Sequence, residues 1–559
     1  MQTSDDRGWV KPLGTESDGN QMDPISAESS PRNSLLLSGL ILSTLIVVAV
    51  VGVFAWRGLR GDPFGSARSI PAGMDYVVSF DALALSDSDR LQRFVDAFTA
   101  PAFAAGLIEE RPGDLLETID SGFVDETGFS LIDDIAPWIG RSVSIAGTIP
   151  ELLDPYATAE ELEISLLLSA DVRDGAAAEA FLRKLVATLE DEGITARATA
   201  IGDHAGYRMG DPGDDFTGAL VLTDGALLIG LYDDVVAGIS ARENERSMLD
   251  DPEYREAMTH LPADQMMSFF VSGRALDSLA TLGTGGLYGI ESPAEPLDSP
   301  SFGGSLGLVD EGVLVTYVSV GEEVLPDSVG PDRKVLAALP SGTLGFVSIA
   351  GDTGVTEPLD SELFDSLGMP TESFEDEFGF DLIAVLESLS GEFTFAITES
   401  RQGAIAQTSD IPVGVLAAIG LNDVAPLTDA VDSVVQLLRE GGLEVVSNGR
   451  VSTVVDGSDE VVSYSLADNL FVIGAGSGLV ADVANGDGGS VVESDLYREL
   501  DKVVAGDGLV LFADIPGIVS MVPQTSNEAA VLAPLRGIGV GMYTDGNAGV
   551  VETLLLVDY

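Results

Sequence analysis

The chain has 559 residues, of which 45% are apolar, 27 basic and 91 acidic, giving a formal net charge of −64. Length and apolar content suit a folded protein with more than one core, while so large an acidic surplus repels phosphate backbones and excludes nucleic acid as a partner. Cysteine does not occur in the sequence, which excludes disulfides, thiolate nucleophiles, iron–sulfur clusters and cysteine-based zinc sites. Only four lysines occur, Lys11, Lys184, Lys334 and Lys502. An acidic, lysine-poor surface suits a high-salt setting, and it equally suits a GC-rich genome with an acid-leaning surface.

Residues 1–33 are dominated by Ser, Asp, Gly, Asn and Pro without an apolar period and read as a disordered tail. Leu35 to Trp56 is a 22-residue run without charge, set between Arg32 and Arg57. At about 1.5 Å per residue such a run reaches roughly the 30 Å of a bilayer's hydrocarbon core. It lies too far from the start and is too long for a cleaved signal peptide, and no A-x-A site follows. The expectation is one transmembrane helix over 34–57 and a linker over 58–69. Arg57, Arg60 and Arg68 after the run, against Arg32 before it, favour a cytoplasmic C-terminal region. A short tail, a signal-anchor and a long following region favour the other side, because long domains translocate largely regardless of charge. The expected placement is therefore the cell membrane, single-pass, with the C-terminal region extracytoplasmic.

Beyond residue 70, YVVSFDAL, RSVSIAGTI and ISLLLSADV read as strands. Between Asp174 and Gly193, apolar residues at 178, 181, 182, 185, 186 and 189 form one buried helical stripe, stopped by Gly193. ALVLTDGALLIGLY reads as a hairpin with Asp-Gly at its turn, followed by a helix through Tyr254. The strand QMMSFFVSG and the hairpin SFGGSLGLVDEGVLVTYVSV close the unit. Strands joined by tight turns, with a few helices, predict an α+β domain with an antiparallel sheet. Helices on one face leave the other open to water, to a sister domain or to a ligand.

The same pattern then returns. FVDETGFSLIDDIAPWIG (Phe123 to Gly140) and FEDEFGFDLIAVLESLSG (Phe374 to Gly391) are identical at eight of eighteen positions without a gap. IPAGMDYVVSF recurs as LPSGTLGFVSI, the helix ending at Gly193 as one ending at Gly442, and DPEYREAM as SDLYRELD. GIGVGMYTDGNAGVVETLLLVDY mirrors the first closing hairpin. Five matched blocks in one order indicate an internal duplication. The expectation is two tandem α+β domains, 70–329 and 330–559, each with its own antiparallel sheet and joined through VGEEVLPDSVGPDRK.

IPAGMDYVVSF, LPADQMMSFFV, LPSGTLGFVSI and DDIAPWIGRSVSIAG, the last with Pro137, Trp138 and Gly140, resemble the bacterial domain-of-unknown-function family 3352 over roughly residues 70–559. The resemblance implies an N-terminal transmembrane helix before a large extracytoplasmic region. It carries over no catalytic residues, because the family has no assigned activity. The second copy departs from the motif, with Ser388 and Leu389 where the first has Pro137 and Trp138.

Signs of chemistry are sparse. Gly303-Gly304-Ser305-Leu306-Gly307 matches G-x-S-x-G, yet both histidines, His204 and His260, precede it and the segment leads into a strand. A glycine-rich strand start explains it better. Neither histidine has metal-ligand spacing. DPGDD (Asp211 to Asp215), VDGSDE (Val455 to Glu460), NGDGG (Asn485 to Gly489) and TDGNAG (Thr544 to Gly549) lack the twelve-residue calcium-loop spacing and read as turns. Among 91 acidic residues, pairs such as Asp133/Asp134 and Asp214/Asp215 are expected by chance. No catalytic, cofactor-binding or metal-ligating residue is assigned and no cofactor is expected. The sequence points to a non-enzymatic, membrane-anchored envelope protein that binds a ligand or partner. A carboxylate-dependent hydrolase and a carrier of lipid or apolar ligands stand as alternatives.

Overall fold

A computed structural model describes residues 64–81, 88–105, 115–149, 165–210, 217–244, 246–263, 265–278, 299–321, 333–350, 378–400, 405, 411–457, 459–486, 488–506, 508–521 and 532–559. The first half holds ten strands: β1 (Tyr76–Asp81), β2 (Ile139–Thr148), β3 (Ser165–Val172), β4 (Thr195–Ile201), β5 (His204–Gly210), β6 (Gly218–Thr223), β7 (Ala226–Leu231), β8 (Met267–Val271), β9 (Ser301–Val309) and β10 (Gly312–Val320). The second half holds β11 (Thr343–Ala350), β12 (Leu389–Glu399), β13 (Val413–Leu421), β14 (Glu444–Asn448), β15 (Val451–Asp456), β16 (Asp459–Ala467), β17 (Leu470–Gly474), β18 (Leu509–Asp514), β19 (Leu535–Asp545) and β20 (Ala548–Val557).

Local chemistry sets the connections. Asp224-Gly225 turns β6 into β7 with Gly225 at φ 91°, and Gly546-Asn547 turns β19 into β20 with Gly546 at φ 66°, a conformation that costs glycine nothing. Asp174 caps helix α1 (Gly175–Asp191) by accepting from Ala176 N and Ala177 N. Asp251 and Ser494 do the same for α2 (Pro252–Thr259) and α4 (Asp495–Val503), while α3 (Ala425–Glu440) follows β13 as α1 follows β3.

In the first half the strands lie in the order β4-β5-β6-β7-β3-β2-β1-β8-β9-β10. In the second half, β14-β15-β16-β17-β13-β12-β11-β18-β19-β20 is the same order. β10 and β20 pair with each other over nine residues, Gly312↔Leu556 to Val320↔Ala548. All twenty strands therefore belong to one antiparallel sheet. The closing hairpins turn at Asp310-Glu311 and Gly546-Asn547, so Thr316 and Glu552 occupy the same place in each copy, and they face each other across the junction. The junction is a local two-fold axis through that pair.

Packing follows the same symmetry. One core gathers Ile70, Val77, Tyr254, Phe270, Val318 and Val320 from the first half, and it also takes in Ala548 and Val550 from β20. The other gathers Phe346, Leu416, Tyr497, Phe512, Leu554 and Leu556, and it takes in Leu314 from β10. Tyr254 sits edge-on to Phe270 at 5.4 Å between ring centroids, and Tyr497 packs on Phe512 at 6.0 Å. Full burial of such side chains stabilises by about 1.5–3 kcal/mol each. The shared Tyr-Arg-Glu of the two sequence blocks thus marks one anchoring tyrosine per half.

Two expectations are corrected here. The halves are not separate domains with a sheet each: β10 and β20 end their copies with an open backbone edge, and each edge satisfies the other. The N-terminal transmembrane helix is the second. No helix among the described residues is long and apolar enough to cross a membrane. Helices such as Gly175–Asp191 reach 17 residues and carry charged side chains, short of the about 20 apolar residues a span needs. The Leu35–Trp56 run lies outside the described residues.

A methyl group on Gly312 would collide with the Leu555 carbonyl oxygen of the facing strand. Gly312→Ala is expected to lower the unfolding free energy by about 1–3 kcal/mol in urea titration. An unchanged midpoint would show that the β10–β20 pairing does not hold the halves together.

Candidate binding face

The residues singled out for chemistry are dispersed. Ser305 lies inside β9, 2% exposed, between Ser268 of β8 and Thr316 of β10. His204 lies 3.2 Å from Glu243, and His260 lies 3.1 Å from Asp545 and 3.6 Å from Glu256. Neither histidine serves Ser305 as a base. Asp134 accepts from Ser130 N and pairs with Lys184, while Asp133 donates its backbone N–H to Ser130 Oγ. Asp211 to Asp215 lie outside the described residues. Gly457 and Gly546 turn hairpins, and Gly486 ends the helix Ser477–Asn485 in a left-handed conformation. Among the described residues, no group of three or more carboxylates or histidines could hold a metal ion.

The Pro-Trp-x-Gly motif is a packing device. Trp138 stacks on Phe181 of α1 at 5.1 Å, Phe129 meets Phe181 edge-on at 5.6 Å, and Lys184 lies 5.0 Å over the Phe129 ring. Arg173 donates to the carbonyls of Ala136 and Pro137 and holds the turn. A second buried feature is polar. Ser144 Oγ lies 2.6 Å from Ser66 Oγ and 2.7 Å from Ser79 Oγ, and Ser142 donates to Asp171. The bidentate Asp81–Arg141 pair lies nearby on the same strands. The second half repeats the central bond, with Ser348 Oγ 2.8 Å from Thr394 Oγ1. Buried hydroxyls satisfied by one another fix the register of β1 on β2 and of β11 on β12.

The surface that stands out is the other side of those strands. Val347 and Ile349 of β11 and Phe393, Phe395 and Ile397 of β12 are between 41% and 62% exposed. The pairing sets Val347 beside Phe395 and Ile349 beside Phe393, so the five lie on one face. Leu511 of β18 flanks Val347, while Ala417 and Ile419 of β13 flank the phenylalanines. In the first half the matching positions are Val78, Phe80, Val143, Ile145 and Gly147, of which Val143 is 1% exposed. The helices diverge in the same direction. α1 buries Phe181, Leu182, Leu185, Val186 and Leu189, whereas α3 buries Ala430 and Val435 and leaves Val434 and Leu437 exposed. A contiguous exposed apolar patch on a folded chain marks a contact surface. Sequence reading missed these five residues. The alternation in EFTFAITE was the available signal, yet alternation does not say which face is covered.

Near the two-fold junction, Glu552 accepts from Ala505 N and is 7% exposed. Burial raises its carboxyl above the ordinary glutamate value, against the lowering by the Ala505 N–H. Burial, Glu552 and Asp545 together raise the Tyr543 hydroxyl. A folded glutamate with a raised value binds its proton more tightly than the unfolded chain does. Its contribution to stability is complete below the unfolded value and is lost as pH rises through the folded one. Glu552→Gln is therefore expected to be more stable than the wild type at neutral pH. The gap should narrow as pH falls from neutrality to below the ordinary glutamate value, read from urea midpoints; a gap that does not depend on pH would show that Glu552 is not strained by burial.

The geometry defines a duplicated α+β protein whose halves share one sheet. Residues 37–448 match the family described as protein of unknown function, DUF3352, and the chain belongs to that family. The match starts before the 70–559 span of the motifs and ends with β14 at Asn448. No curated protein matches the sequence. Among solved structures, crystal form I of TP0453 is similar at 10% identity, covering 48% of this chain and 83% of that chain with a TM-score of 0.24. Crystal form III of TP0453 is similar at 11% identity with the same coverage and TM-score. Likeness at that level carries no argument about fold or function.

Proposed function

We propose that the chain is a non-enzymatic binding module of the cell envelope, with the open face of β11 and β12 as its contact surface. The carrying observation is the row of Val347, Ile349, Phe393, Phe395 and Ile397, apolar side chains held half-exposed on a rigid sheet. Water around such a patch is released on contact, at about 25 cal/mol per Å² of apolar surface covered. The non-enzymatic reading is supported by Ser305 lying buried in mid-strand and by both histidines contacting carboxylates elsewhere. Envelope placement is the part of the proposal that the protease test below addresses by itself.

Two measurements test this reading. The uncharged apolar dye Nile red is expected to bind the folded chain and to lose most of its fluorescence gain with Phe393→Ser and Phe395→Ser together. Both sites are exposed, so the variant should melt within about 1 kcal/mol of the wild type. No dye binding by the wild type would mean that the face is covered in solution, and the proposal would fall. Protease added to intact cells should remove a C-terminal tag while a cytoplasmic control survives; a protected tag would overturn the envelope placement.

A further inference from the structure

The chemistry of the partner follows from what surrounds the face. None of the five apolar side chains carries a hydrogen-bonding group, so the face supplies apolar anchorage only. β12 is paired with β11 and β13 along the two phenylalanines, and β11 is paired on both sides from Gly345 to Val347, with β12 and β18. At Val347, Phe393 and Phe395 a partner's backbone therefore finds no free edge, and it must lie across the strands and meet side chains. Glu399 continues the same face of β12 beyond Ile397 and is exposed, facing Val413 across the ladder. The chain as a whole carries −64.

Specific interfaces place apolar anchors at the centre and charge at the rim, and charge of opposite sign steers the encounter. An acidic partner, or a second copy of this chain with the same −64, meets repulsion before the apolar anchors touch. We propose that the open face docks a cationic protein partner, one that offers apolar side chains flanked by lysine or arginine. The proposal rests on the binding-module reading and adds the sign of the partner to it.

The full chain would be titrated, by fluorescence anisotropy, with two synthetic peptides of equal leucine content, one alternating with lysine and the other with glutamate. The lysine peptide is expected to bind, to weaken with added salt, and to bind at least tenfold less tightly when Phe393 and Phe395 are both serine. The glutamate peptide is expected not to bind. Glu399→Lys, an exposed change, should weaken the lysine peptide at least twofold and so provides a second variant. Lysine-peptide affinity unchanged in both variants would show binding to acidic surface anywhere and would overturn the proposal. Equal binding of both peptides, or face-dependent binding to phosphatidylcholine vesicles in place of the lysine peptide, would overturn it as well. In each of those outcomes, Nile red binding that still depends on Phe393 and Phe395 leaves the binding-module reading standing. Loss of dye binding in the wild type removes both.

Discussion

The antiparallel pairing of β10 with β20 is the interaction on which the rest of the structure depends. It converts two ten-stranded arrays into one sheet and lets each core borrow from the other half. Ala548 and Val550 complete the first core, and Leu314 completes the second. Separation would uncover those residues together with Val318, Val320, Leu554 and Leu556, and it would leave two rows of backbone donors and acceptors unpaired. The junction tolerates two costly groups at its centre, the buried carboxyl of Glu552 and, facing it, the Thr316 hydroxyl, which is buried without a hydrogen-bond partner among the described residues. There burial holds the carboxyl above its ordinary value, and the Ala505 N–H offsets part of the cost. His260 adds a polar contact across the same junction by meeting Asp545 in the β19–β20 hairpin.

What the two copies retain and what they change separates structural from functional demand. Both keep a hydroxyl pair between their first two strands, Ser79 with Ser144 and Ser348 with Thr394. Both keep a tyrosine on a phenylalanine, Tyr254 on Phe270 and Tyr497 on Phe512. The outer face of those strands has diverged. Where the first half has Val143, Ile145 and Gly147, the second has Phe393, Phe395 and Ile397, larger and more exposed. Enlarging apolar side chains in contact with water does nothing for folding. On the proposed reading, a partner docked on that face gives it a physical purpose.

Much of the local structure was legible in the sequence. The stripe from Ala178 to Leu189 made a helix, Asp-Gly pairs made hairpin turns, and the repeated Tyr-Arg-Glu marked equivalent anchoring residues. The sharing of one sheet was not legible. A strand edge presents backbone groups that are the same for every sequence, so the hairpins ending at Val320 and Val557 read as the ends of separate domains. The contact face was hidden for a different reason. In EFTFAITE the large residues alternate with Thr394, Ala396 and Thr398, and a two-residue period places Phe393 and Phe395 on one side without naming the side. Size suggests that the phenylalanines point inward. In the fold Thr394, Ala396 and Thr398 face the core and are buried, and the phenylalanines face out.

The sequence by itself determined the elements, their turns and caps, the existence of a duplication and the acidity that shapes every encounter, because each follows from residues near one another in the chain. Tertiary structure alone decided that the copies fuse at β10 and β20, that Glu552 is buried at their axis, and that β11 and β12 turn an apolar face outward. Those outcomes depend on which surfaces meet at long range, and they are set by the pairing of backbone edges and by which side of the sheet the helices cover, neither of which any local pattern of side chains encodes.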